Sequence, residues 1–384
     1  MTSLGNIEVT PVAALTIISF DTGDVLYITG KARNVHGADA RVVMPLQSLL
    51  TEIYATGYTF VRDAFPARQK FGVQPQPSPY NPPLKYLAEE ETHSTIFSGE
   101  QITARLLRII LHSATIATFE WESSVSLRVN PGQAIILDLR SWLGTREFRH
   151  IWDEKPSLVN DDFIRTWTVS SHMPAESGSR HFSVTLRKKE GGTVTVPLFR
   201  AAMEVAGDAE CAVPLLNVDI VGISGTFVLP SSTDTTRGET RLLWIAGGIG
   251  LTPFLPMLSA ISKGNKYPTY DITFLISTRE PDVILKLLYA ALNGSEVPHW
   301  LSVHIFSNAS SLRASSSATT VRSHVECHTG RLDPFFLKMQ RNLLSSSNLQ
   351  IFLCGPESFE ETIISSLGTC GVDVGRIHRE GFSY

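Results

Sequence analysis

The sequence predicts an antiparallel β-barrel followed by an α/β domain on a parallel sheet, the pair preceded by a small β-rich segment. Three observations carry this prediction. Short apolar segments separated by turn signals run from about residue 100 to 230, the spacing of an antiparallel barrel. From Leu242 onward the rhythm becomes strand, helix, strand, which implies a parallel sheet covered by helices, with ligands at the carboxyl ends of its strands. Between Gln74 and Pro83 the run Gln-Pro-Gln-Pro-Ser-Pro-Tyr-Asn-Pro-Pro reads as an extended spacer. The expected boundaries are 1–72 for the N-terminal segment, 73–98 for the linker, 99–232 for the barrel and 233–384 for the α/β domain.

In the first segment, Ala14–Phe20 and Val25–Gly30 read as strands joined by an Asp-Thr-Gly-Asp turn, and Pro45–Ala55 reads as a short helix. So few strands make a small core, one that is incomplete or dependent on a neighbour. Barrel strands are expected at Ala104–Leu111, Thr115–Glu122, Ala134–Leu139 and His181–Arg187. In the α/β domain, strands are expected at Leu242–Ala246, Asp271–Ile276, Leu301–Ile305 and Leu349–Leu353. Helices are expected at Pro253–Ile261, Pro281–Leu292, Asp333–Leu344 and Ser358–Leu367. Ser307–Ser317 reads as an exposed insertion.

Hydrophobic content of 43% and charged content of 18% over 384 residues describe an ordinary globular protein of two or three domains. A net charge of −4, with no clustered Lys and Arg, argues against nucleic-acid binding. No basic stretch precedes an apolar run at the N-terminus, and the most apolar window, Ala104–Phe119, carries Arg105, Arg108 and His112. Neither a signal peptide nor a membrane span is therefore expected. Cys211, Cys327, Cys354 and Cys370 lie far apart, as in a protein of the reducing cytoplasm. His324, Cys327 and His328 stand close together, but no second ligand pair accompanies them and no metal is expected.

The most informative motif begins where the strand Leu242–Ala246 breaks into Gly247-Gly248-Ile249-Gly250-Leu251-Thr252-Pro253. Gly247, Gly248 and Gly250 permit a sharp turn and a close approach of backbone amides to an anion. Thr252 as cap and Pro253 at the first helical position would aim a helix N-terminus at a pyrophosphate. Arg165-Thr166-Trp167-Thr168 offers a guanidinium fork for a phosphate, an aromatic ring for stacking and a hydroxyl for a ring nitrogen. Gly192, Thr193, Val194 and Thr195 form a glycine turn opening a helix, a second place where amides and the Thr195 hydroxyl would meet a diphosphate. Cys354-Gly355-Pro356 follows a strand and precedes a helix.

In this order, with Pro131-Gly132-Gln133, Gly222-Ile223-Ser224-Gly225-Thr226-Phe227 and the terminal Glu380-Gly381-Phe382-Ser383-Tyr384, the motifs resemble the ferredoxin–NADP reductase superfamily over residues 100–384. Trp167 stands where that family usually has Tyr, and Ile223 where it has Pro. The resemblance implies a flavin barrel plus an NAD(P) domain. Arg165, Trp167, Thr168 and residues 192–195 would hold FAD, with FMN the less favoured flavin, and Tyr384 would cover its ring. It also implies that Cys354 lies beside the nicotinamide and that Thr168, Cys354 and Glu380 serve catalysis. Ser277 and Arg279 suit a 2′-phosphate, whereas Glu280 nearby suits a ribose diol, which leaves NADPH and NADH both open with a lean to NADPH. Val25–Ala32 and Gly57–Asp63 resemble the closing strands of a pyridoxamine-phosphate-oxidase-like split barrel, most of which is missing, so no separate activity is assigned to that segment.

The expected activity is transfer of hydride from NADPH or NADH onto FAD, with electrons passed to a separate acceptor: a protein, a small molecule or oxygen. Two alternatives stand beside it. One is a biosynthetic flavin oxidoreductase acting directly on an organic substrate. The other is a degenerate flavoprotein that serves as a binding module.

Overall fold

The computed structural model describes residues 2–45, 47–70, 78, 85, 87–90, 94–97, 101–144, 161–174, 177–207, 216–230, 240–263, 270–294, 296–308, 324–346 and 348–381. The expected spacer apart from Ser78, the expected insertion beyond Asn308, Cys211 and Tyr384 lie outside them. The chain divides into two compact units, one built on Met1–Thr92 and the other on His93–Arg146 together with Asp162–Tyr384.

The first unit contains α1 (Thr2–Val9), β1 (Val12–Ile18), β2 (Val25–His36), α2 (Gly37–Val43) and β3 (Leu49–Val61). Its strands form an antiparallel sheet in the order β1-β2-β3. The expected β1–β2 hairpin is present, with Ile18 opposite Val25. The helix expected over Pro45–Ala55 is instead mostly strand. Leu49–Val61 is rich in Thr, Tyr, Ile and Val and pairs with β2 along nearly its whole length, so pairing outweighs the weak helical pattern of its first residues. Among the described hydrophobic side chains of this unit only Val25, Ala32 and Ala40 are buried, while Leu15, Ile17, Tyr54, Tyr58 and Phe60 are exposed.

The second unit opens with the barrel: β4 (Ser94–Ile96), β5 (Ile102–Leu111), β6 (Ile116–Leu127), β7 (Ala134–Asp138), α3 (Arg140–Leu143), β8 (Ile164–Thr168), β9 (Ser179–Arg187), α4 (Thr195–Gly207) and β10 (Asn217–Ser224). The strands run β8-β7-β10-β5-β6-β9, with β4 on β10. An antiparallel bridge from Val169 to Val184 joins the two ends of this path. The interior is filled by Phe119, Trp121, Ile135, Leu137, Phe182 and Val218, and α4 adds Leu198 and Phe199.

The α/β part follows: β11 (Thr240–Gly247), α5 (Phe254–Lys263), β12 (Tyr270–Ser277), α6 (Pro281–Ala291), β13 (Leu301–Ser307), β14 (Val325–Thr329), α7 (Pro334–Met339), α8 (Arg341–Leu344), β15 (Leu349–Gly355), α9 (Glu357–Thr369) and β16 (Ile377–Gly381). All six strands are parallel in the order β14-β13-β12-β11-β15-β16. Leu242, Trp244 and Phe274 face one core layer, and Leu243, Ile245 and Leu275 face the other. The strand order reverses between β11 and β15, which opens a crevice at their carboxyl ends. Two departures from expectation are local. The helix expected over Asp333–Leu344 breaks at Gln340. The edge strands β14 and β16, reading Val-Glu-Cys-His-Thr and Ile-His-Arg-Glu-Gly, lack the apolar runs that mark buried strands.

Candidate active site

Strand β8 alternates Ile164, Arg165, Thr166, Trp167 and Thr168, and pairs with β7 so that Thr168 lies opposite Ala134. Arg165 is half-buried; its Nη2 donates to Thr193 Oγ1 at 2.9 Å and its Nη1 to the Ile164 carbonyl at 2.9 Å. Two motifs 28 positions apart in sequence thus meet in space. Thr193 leads into α4, whose first turn carries no acidic residue to oppose an anion. The Thr195 hydroxyl, expected at the diphosphate, instead closes the Gly191-Gly192 turn: it accepts from the Lys189 amide at 3.1 Å and lies 3.4 Å from the Lys189 carbonyl. Trp167 packs half-buried against the barrel core.

Thr168 tests whether a flavin fits. Thr168 is 4% exposed, and its fully buried hydroxyl has no hydrogen-bond partner among the described residues, the only hydroxyl among four such buried atoms. An unsatisfied buried hydroxyl costs about 1–3 kcal/mol, and a ring nitrogen placed against it would remove that cost. The donor set around Arg165 and Thr193 suits a phosphate.

On the nucleotide side, Gly248 has φ +56°, a left-handed turn that suits glycine, and nothing lies within 4 Å of where a Cβ would stand. Gly247 and Gly250 are needed for a different reason. A Cβ on Gly250 would overlap the Cys354 carbonyl, and one on Gly247 would come within 2.6 Å of the Phe359 ring. The missing side chain of Gly250 lets the 3-10 turn close onto the end of β15, and that of Gly247 lets the end of β11 meet α9, rather than clearing space for a ligand. The helix start also differs from expectation. Gly248–Leu251 forms a 3-10 turn, Thr252 is helical at φ −56° with its hydroxyl 3.1 Å from the Ile249 carbonyl, and α5 begins only at Phe254, after Pro253. No acidic side chain occupies the first turn of α5, so the positive end of that helix keeps its field.

Ser277 ends β12, and Arg279 is exposed just beyond it. Glu280 is committed elsewhere: Arg187 reaches it at 2.9 Å and the Thr115 hydroxyl donates to it at 2.8 Å. No local sequence signal reveals this contact, because Thr115 lies 165 positions away.

Cys354, Gly355 and Pro356 end β15 and lead into α9. Cys354 is fully buried between Ala246 of β11 and Glu380 of β16 in the strand register. Burial, then Glu380 and Glu360, push its thiol well above the usual cysteine range. It is held as a neutral thiol, unsuited to nucleophilic attack. Glu360, also buried, accepts from the Gly355 amide at 3.2 Å and pairs with Arg379 at 2.9 Å, which fixes this turn. Burial, with Glu360 nearby, raises the Glu380 carboxyl to about 7.

A continuous path connects the two halves. The Val169 amide donates to the Gln133 carbonyl at 3.0 Å, Gln133 Nε2 donates to the Gly225 carbonyl at 3.1 Å, and the Glu380 carboxylate lies 3.8 Å from where a Gly225 Cβ would stand. Two residues after Gly225, Phe227 enters the core of the α/β part, edge-on to Phe254 and Phe352 at 5.5 and 5.2 Å. Gln133 thus links the residue after Thr168 to the Gly225 turn, beside which Glu380 lies. Tyr384 lies outside the described residues.

A crystal structure of a ferredoxin NADP+ reductase from Neisseria gonorrhoeae with bound FAD and NADP superposes with a TM-score of 0.50, at 14% identity, over 73% of this chain and 99% of that one. The fold is that of the ferredoxin–NADP reductase-like flavoproteins. Residues 239–367 match the ferric reductase NAD binding domain family. A flavohemoprotein of Xylella fastidiosa is 23% identical over 204 residues, and this chain spans 43% of its length. The stachydrine N-demethylase reductase subunit Stc4 of Rhizobium meliloti is 22% identical over 272 residues, which are 70% of this chain and 63% of that subunit. Among the described residues no helix is long and apolar enough to cross a membrane.

Proposed function

We propose that the chain is a flavin-dependent NAD(P)H oxidoreductase that takes hydride from NADPH, or NADH, onto FAD and passes electrons to a separate acceptor. The observation that carries this reading is the path from Thr168 through Gln133 and Gly225 to Glu380 and Cys354, which sets a flavin-type strand against a nicotinamide-type crevice within one compact unit. FAD, when bound, supplies exchange between paired electrons from the nicotinamide and single electrons for the acceptor. Arg165, Thr193 and the amides of residues 192–195 hold its diphosphate, and Thr168 meets its ring. The 3-10 turn from Gly248 and the start of α5 receive the pyrophosphate of the nicotinamide cofactor. Gly355 and Pro356 line the place of its ring, which Cys354 backs as a small neutral group. Glu380 holds or releases a proton near neutral pH at the same place.

NADPH is the favoured donor. Glu280, the one side chain at the end of β12 that would suit a ribose diol, is bound by Arg187 and Thr115, which leaves Ser277 and Arg279 to meet a 2′-phosphate. The names of the reductase relatives support a separate acceptor, and we place the protein in the cytoplasm, with domain boundaries near residues 72, 98 and 232. Anaerobic titration of the purified flavoprotein tests this. NADPH should bleach the flavin, with NADH slower, and artificial acceptors should restore the colour. Arg279→Ala should lower the NADPH-to-NADH ratio of kcat/KM by about tenfold or more. A flavin that neither nucleotide reduces would overturn the proposal.

A further inference from the structure

At the outer edge of the parallel sheet, two strands away from the crevice side, four side chains share one face. β13 and β14 pair with His304 beside Glu326 and Phe306 beside His328, so strand alternation turns all four the same way. His304 Nδ1 lies 3.1 Å from His328 Nε2 and 3.3 Å from a Glu326 carboxylate oxygen, which is 3.8 Å from His328 Nε2. Bonds of about 2.0–2.2 Å to a tetrahedral zinc ion put neighbouring ligand atoms roughly 3.3–3.6 Å apart. The three observed separations bracket that range.

We propose that His304, Glu326 and His328 form a zinc site. Two imidazoles and a carboxylate are the donors that a borderline divalent ion of this kind selects. The rings are held before any ion arrives. Phe306 stacks on His328 at 4.6 Å, and Phe336 of α7 lies edge-on to His304 and His328 at 5.3 and 5.2 Å. Ser302 Oγ stands 3.5 Å from Nε2 of His304, on the side away from the cluster, which leaves Nδ1 turned inward as the ligand atom. The His304 side chain is 11% exposed and that of Glu326 68%, so the site is walled on the protein side and open to solvent, where water would complete the tetrahedron. His328 thus meets His304 on the neighbouring strand and Glu326 on its own.

The ion would act as a clip. It would close a 24-residue loop and pin the short edge strand β14, three strand spacings from β11, to β13, which is two spacings, or about 10 Å, from it. Flavin chemistry would not depend on it.

The test uses the full chain, freed of metal with chelator, and the probes are Zn²⁺ by calorimetry and Co²⁺ by visible absorption beyond the flavin bands. One ion should bind per chain, Co²⁺ should give the intense absorption of four-coordinate cobalt, and Zn²⁺ should raise Tm. His328→Ala should weaken binding by at least about 100-fold and the exposed Glu326→Gln by at least about tenfold, while His324→Ala should leave it unchanged. Glu326→Gln decides the matter should His328→Ala fail to fold. No stoichiometric binding, six-coordinate cobalt, or affinity untouched by Glu326→Gln would reduce the cluster to a proton-sharing histidine pair and overturn the proposal.

Discussion

Arg165 reaches Thr193 across 28 positions of sequence, and the pair is where the proposed function puts a flavin phosphate. Arg165→Ala should remove a charge-assisted contact worth ~1.5–3 kcal/mol, or roughly 10–150-fold in FAD affinity, as read by ultrafiltration or fluorescence quenching. Unchanged affinity would sink the assignment. Glu380 gives a prediction with a defined sign. Its native carboxyl titrates near 7 against 4.5 in the unfolded chain, so the native state keeps a proton that the unfolded state loses across that window. Stability should therefore fall as pH rises from about 4.5 to about 7 and level off above it. In Glu380→Gln that slope should flatten, as urea midpoints measured at several pH values would reveal; parallel curves for the two proteins would refute the buried titration. The meeting of Arg165 with the Thr193 turn, the left-handed turn at Gly248 and the place of Cys354 at the end of β15 follow short local motifs that the sequence shows. The commitment of Glu280 to Arg187 and Thr115 was not legible, since nothing local encodes a partner so distant.

Strands and helices were legible where burial imposes a period. β5, β6, β7, β9, β11, β12, β13 and β15 appear close to where apolar runs place them. Elements held by pairing alone were not: β3 read as a helix at its start, and β14 and β16 carry polar residues because sheet edges expose them. Two of the glycines of the nucleotide turn also answer to packing. Gly250 is required by the approach of the 3-10 turn to the end of β15, so Gly250→Ala should push the Cys354 carbonyl aside. A cost of about 1–3 kcal/mol is expected, with a lowered Tm and slower flavin reduction even at saturating NADPH. Gly248→Ala should act mainly through its left-handed φ, at about 1–2 kcal/mol. If Gly250→Ala proved as stable and as fast as wild type, the close approach of the turn to β15 would have no functional weight.

At the scale of the whole chain, the N-terminal unit buries few side chains of its own, and it should open at low free energy. Deleting residues 1–80 is expected to leave flavin content and NADPH-driven reduction of an artificial acceptor near wild type. Aggregated or flavin-free protein would instead make that unit a structural part of the enzyme. The opposite holds inside the second unit. Phe227 belongs in sequence to the barrel, yet it is 2% exposed within the aromatic cluster of Trp244, Phe254, Phe274 and Phe352. A fragment beginning at residue 233 would keep every nucleotide motif and lose the side chain that fills its centre, a vacancy of the size that costs ~3–5 kcal/mol in other cores. The two halves are thus not interchangeable cassettes: a nucleotide half grafted onto a foreign barrel must bring the Gly222–Phe227 segment with it, and inheritance of the two would be expected to travel as a single piece.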